Sequence, residues 1–418
     1  MFHPSLQCYS PDYKKTCVGF RGTGIFMRSK SLGLLRYGEQ PQKFWIIVLA
    51  IALILWRLWL FLIQLVAFRG LRLTTPVSHI LFYVWEEWDG YWHTQIARFG
   101  YYAPGLTLRF PLYPLLIRLL APALGGSQLL AALTISFLAL FVAIVLLRQL
   151  IRFEFRSYGS ALKTIALLLV FPTAFFFAAA YQESLFLLLT VASFLSFRRD
   201  QFFHAGLFGG LAALTRPQGL LLFPSFLVAR LVKKRKWEKR DAWLILIPLA
   251  LVPWCYYLYS KFADPFLFLH DLSGWGEGPW QRARSLSFPI TVVFSYVKEF
   301  FLVGGQILAS GFELTPLFLV RVKEVSDFLF FGLFLALGYW VARDLNLSYT
   351  VYYFLSLIMM TSVGTLKGAP RFVLVLFPGF MVLSKLLKNP RLFALFLWVS
   401  SIGLVGLLLY FSLGYWVA

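Results

Sequence analysis

Three cysteines, five histidines and five methionines in 418 residues leave little material for several kinds of protein. Cys8, Cys17 and Cys255 are too few for a disulfide scaffold. Cys8 and Cys17 have no second ligand pair at metal spacing, which excludes a zinc module. Acidic residues are also scarce, 18 against 39 Lys+Arg, and charged residues of both signs make up only 14% of the chain. What fills the sequence instead is apolar: 60% hydrophobic, 19% aromatic, with a mean hydropathy of +0.74. Soluble domains are about half apolar, and a soluble fold of this size has no interior large enough for the excess.

The apolar residues come in runs approaching the roughly 20 residues that cross a hydrocarbon core as a helix. Lipid offers the backbone no hydrogen bonds, so the runs must be helical. The sequence therefore predicts an all-α polytopic membrane protein of about eleven spans, give or take one or two. The net charge of +21 sits mostly in short segments between runs, the pattern of the positive-inside rule and of anionic lipid headgroups rather than of nucleic-acid binding. The densest segment, Lys233-Lys234-Arg235-Lys236-Trp237-Glu238-Lys239-Arg240, marks the cytoplasmic side.

Residues 1–43 form a polar, basic tail without signal-peptide features, with Met27 as an alternative start. Residues 44–418 read as one transmembrane domain. Its first span, about Phe44–Phe68, carries Arg57 near mid-depth, where a charge costs about 2.5–3.5 kcal/mol and must face protein or water. Outer loops are expected at 69–125 and 261–288, the first with two amphipathic pieces at Asp89–Phe99 and Leu112–Leu120. Further spans are expected near 126–147, 164–179, 184–197, 204–215, 219–232, 243–259, 328–342, 347–363, 373–387 and 392–413. Lys298-Glu299 splits the apolar run at 289–323, which reads as interfacial or re-entrant.

Sorting polar groups by side separates their chemistry. The cytoplasmic loops carry mostly Lys and Arg. The outer segments mix signs: Glu86, Glu87, Asp89, His93, Arg109, Glu183, Arg216, His270, Asp271, Glu277, Arg282, Arg284, Lys367 and Arg371. Carboxylates beside bases and aromatics at a membrane surface suit a charged lipid head more than a pore. The densest group is Trp85-Glu86-Glu87-Trp88-Asp89-Gly90-Tyr91-Trp92-His93. A helix starting near Asp89 puts Asp89 and His93 on one face. Asp89 is then either an N-cap or a carboxylate able to take a proton from a hydroxyl.

At these residues the chain resembles the PIG-V mannosyltransferases, the family that adds the second mannose of the GPI anchor, and their bacterial relatives. Trp88-Asp89-Gly90 with Ile96-Ala97 and Gly100-Tyr101 is similar to that family's first outer loop, and Phe110-Pro111-Leu112-Tyr113-Pro114-Leu115-Leu116-Ile117-Arg118 to its next block. Pro172-Thr173-Ala174-Phe175-Phe176, Tyr181-Gln182-Glu183-Ser184-Leu185-Phe186, Leu214-Thr215-Arg216-Pro217-Gln218-Gly219, Asp264-Pro265, Pro370-Arg371-Phe372 and Phe377-Pro378 follow in order. Two positions depart from the family: His93 stands where an aromatic such as Tyr is common, and Arg109 where Phe is common.

The resemblance implies a GT-C glycosyltransferase fold and a polyprenyl-phosphate sugar donor, most often mannose, used on the extracytoplasmic face without a nucleotide sugar. It makes Asp89 the catalytic base. The leaving phosphate then needs cations. Arg216 and Arg371 come first, Lys367 and Arg118 second, each weighed against headgroup snorkelling. His270 is either a phosphate contact or a surface histidine. Glu183 is an acceptor contact, an Arg216 partner or a helix cap. Glu86, Glu87, Trp88, His93, Tyr113 and Tyr181 are acceptor-side or supporting residues. No cofactor is firmly implied, and a divalent cation is not indicated. The acceptor is a glycan, glycolipid or protein, and the membrane is the plasma membrane of a bacterium or the endoplasmic reticulum of a eukaryote. The competing reading is a lipid-sugar flippase, for which Arg57 is the one intramembrane charge.

Overall fold

The architecture follows from a computed structural model, which describes residues 42–70, 74, 76–232, 238–270, 287–310 and 316–417. Side chains are described for these residues except 42, 270 and 303–322. The tail 1–41, most of the basic run 233–237, and the loop segment with Asp271, Glu277, Arg282 and Arg284 lie outside the described residues.

Every regular element among the described residues is helical. The first part of the chain folds as α1 (Gln42–Gly70), α2 (Val77–Leu81), α3 (Asp89–Phe99), α4 (Leu112–Leu120), α5 (Gln128–Phe155) and α6 (Tyr158–Leu169). The middle supplies α7 (Glu183–Arg198), α8 (Phe202–Ala213), α9 (Leu222–Val232), α10 (Leu246–Leu249), α11 (Val252–Phe262) and α12 (Leu267–His270). The last part supplies α13 (Pro289–Ser310), α14 (Pro316–Asp344), α15 (Leu347–Thr361), α16 (Ala369–Leu374), α17 (Phe377–Leu386) and α18 (Pro390–Ser412). Among the described residues, five helical segments are long and apolar enough to cross a membrane: Lys43–Gly70, Gln128–Phe155, Lys239–Phe262, Lys323–Asp344 and Pro390–Ser412. Shorter apolar helices lie between them. The chain is thus an all-helical, multi-pass membrane protein.

Local chemistry sets the boundaries. Ser127 and Ser157 accept hydrogen bonds from the N–H groups of Leu130 and Ser160 (both 3.2 Å), capping α5 and α6. Asn389 accepts from Arg391 N–H (2.8 Å) ahead of Pro390, whose fixed φ suits a first helical position.

Several boundaries differ from those the hydropathy predicts. The span expected at 164–179 stops at Leu169, and the chain then runs through the 3₁₀ turn Ala174–Phe177. The span expected at 243–259 is divided into a 3₁₀ turn, α10 and α11, with Pro248 inside α10 and Pro253 in the first turn of α11; a proline removes a helical donor and crowds the preceding turn. The span expected at 373–387 divides into α16 and α17. The segment read as interfacial or re-entrant contains the continuous helix α13. Lys298 sits on its exposed face, so the charged pair does not interrupt the backbone ladder. In the other direction, α5 extends through Arg148 and Arg152, which the sequence assigns to a loop.

α5 and α7 share the most extensive helix contact in the fold, and α7 packs next on α8. Glu183 opens α7 and Arg198 closes it, so the two lie at opposite ends of a helix about 24 Å long. Arg57 lies over the Trp85 ring, 3.7 Å from its centroid. That cation–π contact meets the requirement that this charge face protein. It also ties α1 to the loop that carries Asp89.

Candidate functional site

Trp85 is fully buried, and its carbonyl accepts the N–H of Ala180 (2.9 Å), which anchors the loop before α3. Gly90 permits the close approach: a Cβ there would stand 3.3 Å from both Trp85 O and the Tyr181 ring. Trp88 takes φ 56°, ψ −113°, a strained conformation for a residue with a side chain, and ends the loop at α3. Asp89 is therefore the first residue of α3 rather than its N-cap, and both of its carboxylate oxygens accept from arginines. It points sideways into two guanidinium groups.

Arg109 Nη2 donates to Asp89 Oδ1 (2.5 Å) and Arg371 Nη1 to Oδ2 (2.8 Å). The Nε of Arg371 lies 3.0 Å from Glu183 Oε1, and Arg216 Nη1 donates to the same oxygen (3.1 Å). Five side chains, the outermost 282 positions apart in sequence, thus form one buried row: Arg109, Asp89, Arg371, Glu183, Arg216. With His93 neutral, three cations face two anions, leaving one positive charge. Glu183 Oε2 is buried and accepts no hydrogen bond from the described residues.

Each member is held by its own element. Arg216 precedes the 3₁₀ turn Pro217–Leu221, which packs so tightly on the end of α8 that a Cβ at Gly219 would overlap the Ala212–Ala213 peptide. Gly219→Ala is expected to cost about 1–3 kcal/mol by overpacking and to move Arg216 off Glu183. Thermal unfolding in detergent, compared with the wild type, checks this. Arg371 belongs to α16, whose Pro370 carbonyl accepts from Thr173 Oγ1 (2.8 Å), and its guanidinium lies 5.4 Å from the Tyr181 ring. Tyr101 Oη donates to the Arg109 carbonyl (2.7 Å), and Leu112 N–H to Leu214 O (3.0 Å), which pins the Arg109 segment beside Arg216.

The row sets the charge states. Burial alone would push the Asp89 carboxyl up, but Arg109 and Arg371, with His93, outweigh it and hold Asp89 well below the usual carboxylate range. Burial drives His93 down to about 3, with the arginines reinforcing the shift and Asp89 opposing it. His93 is thus neutral at neutral pH. An unfolded histidine binds its proton near pH 6.5. The unfolded state therefore takes up protons that the folded state refuses, and stability falls as pH drops from about 6.5 toward 3. Between pH 6.5 and 4.5 the loss from His93 is about 2 kcal/mol. His93→Gln is expected to flatten the dependence of the unfolding midpoint on pH in that window. Equal slopes for variant and wild type would contradict the assignment.

The other sequence candidates divide around this row. Tyr181 Oη donates to Glu87 O (2.9 Å), and the His93 ring stands edge-on to Tyr113 at 5.1 Å. The Tyr113 hydroxyl bonds to Ser136 Oγ (2.8 Å) and Ala132 O (3.1 Å) on α5, which makes it a support. Glu86 accepts from Thr94 Oγ1 (2.5 Å), and burial raises the carboxyls of both Glu86 and Glu87. Trp88 is exposed. Lys367 is half-buried on the turn before α16.

Arg118, a sequence candidate for the phosphate, is instead exposed, donating to Arg98 O (3.3 Å) at the edge of an apolar cavity of about 340 Å³. Ile96, Tyr101, Pro111, Pro114, Trp254 and Tyr257 line that cavity. His270 ends α12, and its side chain lies outside the described residues. The sequence names Arg109 among the outer charges and as a departure from the family, but gives it no part in the site. Its signal was a lone charge in the otherwise uncharged stretch Leu106–Pro111. Among the described residues no three His, Cys, Asp or Glu side chains gather as metal ligands.

Comparison with protein-family models, with curated proteins and with solved structures finds no match to this chain.

Proposed function

We propose that the chain is a membrane glycosyltransferase that moves a sugar, most often mannose, from a polyprenyl-phosphate donor to an acceptor hydroxyl. The observation that carries the reading is the buried row itself, a carboxylate between arginines with one positive charge in excess. A polyprenyl-phosphate sugar is a phosphodiester bearing one negative charge, which matches that excess. Arginine forks suit phosphate oxygens better than any other side chain. An apolar cavity lined by Ile96 and Tyr101, on the chain between Asp89 and Arg109, offers room for the first isoprene units of such a donor. A nucleotide sugar would leave that lining without a partner.

In this reading the acceptor oxygen attacks the anomeric carbon with inversion as the carbon–phosphate-oxygen bond breaks. The hydroxyl proton passes to Asp89, and the phosphate leaves as an anion against Arg371 and its neighbours. Clamped by two guanidinium groups, Asp89 is a poor base at rest. An arriving phosphate draws on the same arginines and adds its own negative charge, and both effects raise the basicity of Asp89. The donor thereby prepares its own base. Glu183 holds Arg216 and Arg371 in position for the phosphate.

The reading includes the GT-C fold, with about eleven spans made up by the shorter helices. It puts the row on the extracytoplasmic side, because α5, α7 and α9 each run from it to an arginine- or lysine-rich end. The test is transfer of label from polyprenyl-phosphate mannose to a lipid or glycan acceptor by the purified chain in liposomes. Labelled donor that crosses the bilayer without transfer would replace this reading with the flippase.

A further inference from the structure

A second cavity, this one polar, lies at the far end of α5. Its volume is about 490 Å³, and Arg148, Arg152, Arg156 and Arg199 line it together with Gln149, Phe153 and Tyr158. It is separated from Ser136, which supports the Asp89 region, by roughly 18–30 Å along the helix.

Four arginines at one cavity repel one another, and the carboxylates near them are already engaged. Glu154 receives both Arg198 Nε (2.5 Å) and Nη2 (3.1 Å) and the Tyr349 hydroxyl (2.9 Å). The charge of Asp200 acts on Arg198 as well. Arg152 is set by Tyr158, donating to its hydroxyl (2.5 Å), and Arg199 reaches Gln149 Oε1 at 3.5 Å. Arg148 is 4% exposed, lies 4.8 Å from the Trp45 ring centroid, and its Nη2 is buried without a hydrogen-bond partner among the described residues. A buried guanidinium without a counter-charge is costly, and an anion in the cavity would offset the charge of Arg148 and its neighbours.

The depth of the cavity identifies the source of that anion. It lies where α5, a membrane-length helix, ends and where α1, another, carries Lys43, Phe44 and Trp45 in its first turn. Aromatic rings and basic groups mark the headgroup level. Phe153 at the rim is exposed and apolar, suited to the upper part of an acyl chain. We infer that this cavity binds the phosphate of an anionic phospholipid headgroup, on the side of the protein opposite the Asp89 row.

The test uses the purified full chain in neutral detergent, titrated with dioctanoyl phosphatidylglycerol, dioctanoyl phosphatidylcholine or inorganic phosphate while the thermal unfolding midpoint is followed. Phosphatidylglycerol is expected to raise the midpoint saturably, and phosphatidylcholine and inorganic phosphate to leave it unmoved over the same range. Arg152→Gln/Arg156→Gln is expected to bind phosphatidylglycerol roughly 30-fold more weakly, the shift being read against the variant's own lipid-free midpoint. Arg152→Lys/Arg156→Lys keeps the charge but loses the forks, and is expected to fall between the two. If the lysine pair matches wild type, the attraction is diffuse and there is no built site. If inorganic phosphate acts as strongly as the lipid, the ligand is a soluble anion and the lipid assignment fails. Undiminished binding by the glutamine pair overturns the site itself.

Discussion

Asp89→Asn is expected to lower sugar transfer by about 10²–10⁴-fold, the range for loss of a positioned general base. Asn keeps the shape but removes the charge that Arg109 and Arg371 share, at 2.5 and 2.8 Å. Breaking a buried ion pair by neutralising one partner costs about 3–5 kcal/mol, so the variant is also expected to melt earlier. Asp89→Glu separates the two effects. It retains the negative charge and much of the stability, but moves the carboxylate by one methylene, enough to spoil proton transfer. Low transfer with near-normal stability in Asp89→Glu marks a chemical role. Full transfer by a well-folded Asp89→Asn would remove this residue from the mechanism.

Arg371→Lys is the second large effect. One guanidinium meets two carboxylates from different edges, Asp89 through Nη1 and Glu183 through Nε. An ammonium is a single point and cannot hold both at those positions. The leaving phosphate would also lose its fork. The expected result is a donor KM raised about tenfold, from one lost charge-assisted contact, and a kcat lowered about 100-fold, as when one preorganised donor to developing charge is removed. Both are read from initial rates against donor concentration. An unchanged donor KM would place the phosphate elsewhere.

Much of the scaffold was legible because lipid leaves the backbone few choices. The bounds of α3 and α4 follow from their amphipathic period, and α1 and α18 from apolar runs with clear ends. Asp89 stood out because a carboxylate between tryptophans in an outer loop has no topological purpose. Arg216 and Arg371 stood out because each adjoins a proline where the chain turns. Hydropathy could not see the helix breaks after Leu169 and around Pro248 and Pro253, since an apolar residue scores alike in a helix, a 3₁₀ turn or a coil. Nor could it reveal that Arg148 lies within a helix, because a long side chain can carry its charge away from an apolar backbone position.

Arg109 shows the limit most directly. Twenty residues separate it from Asp89, and nothing in that spacing declares a bond; the contact exists because Tyr101 and Leu214 hold the intervening segment back against α3. Composition and periodicity determined that this chain is helical, membrane-embedded and charged at its margins, because the cost of burying an unpaired peptide group or ion acts residue by residue. Which arginine meets which carboxylate depends on segments up to 282 positions apart coming within 3 Å. That is a property of packing, and only the tertiary structure decided it.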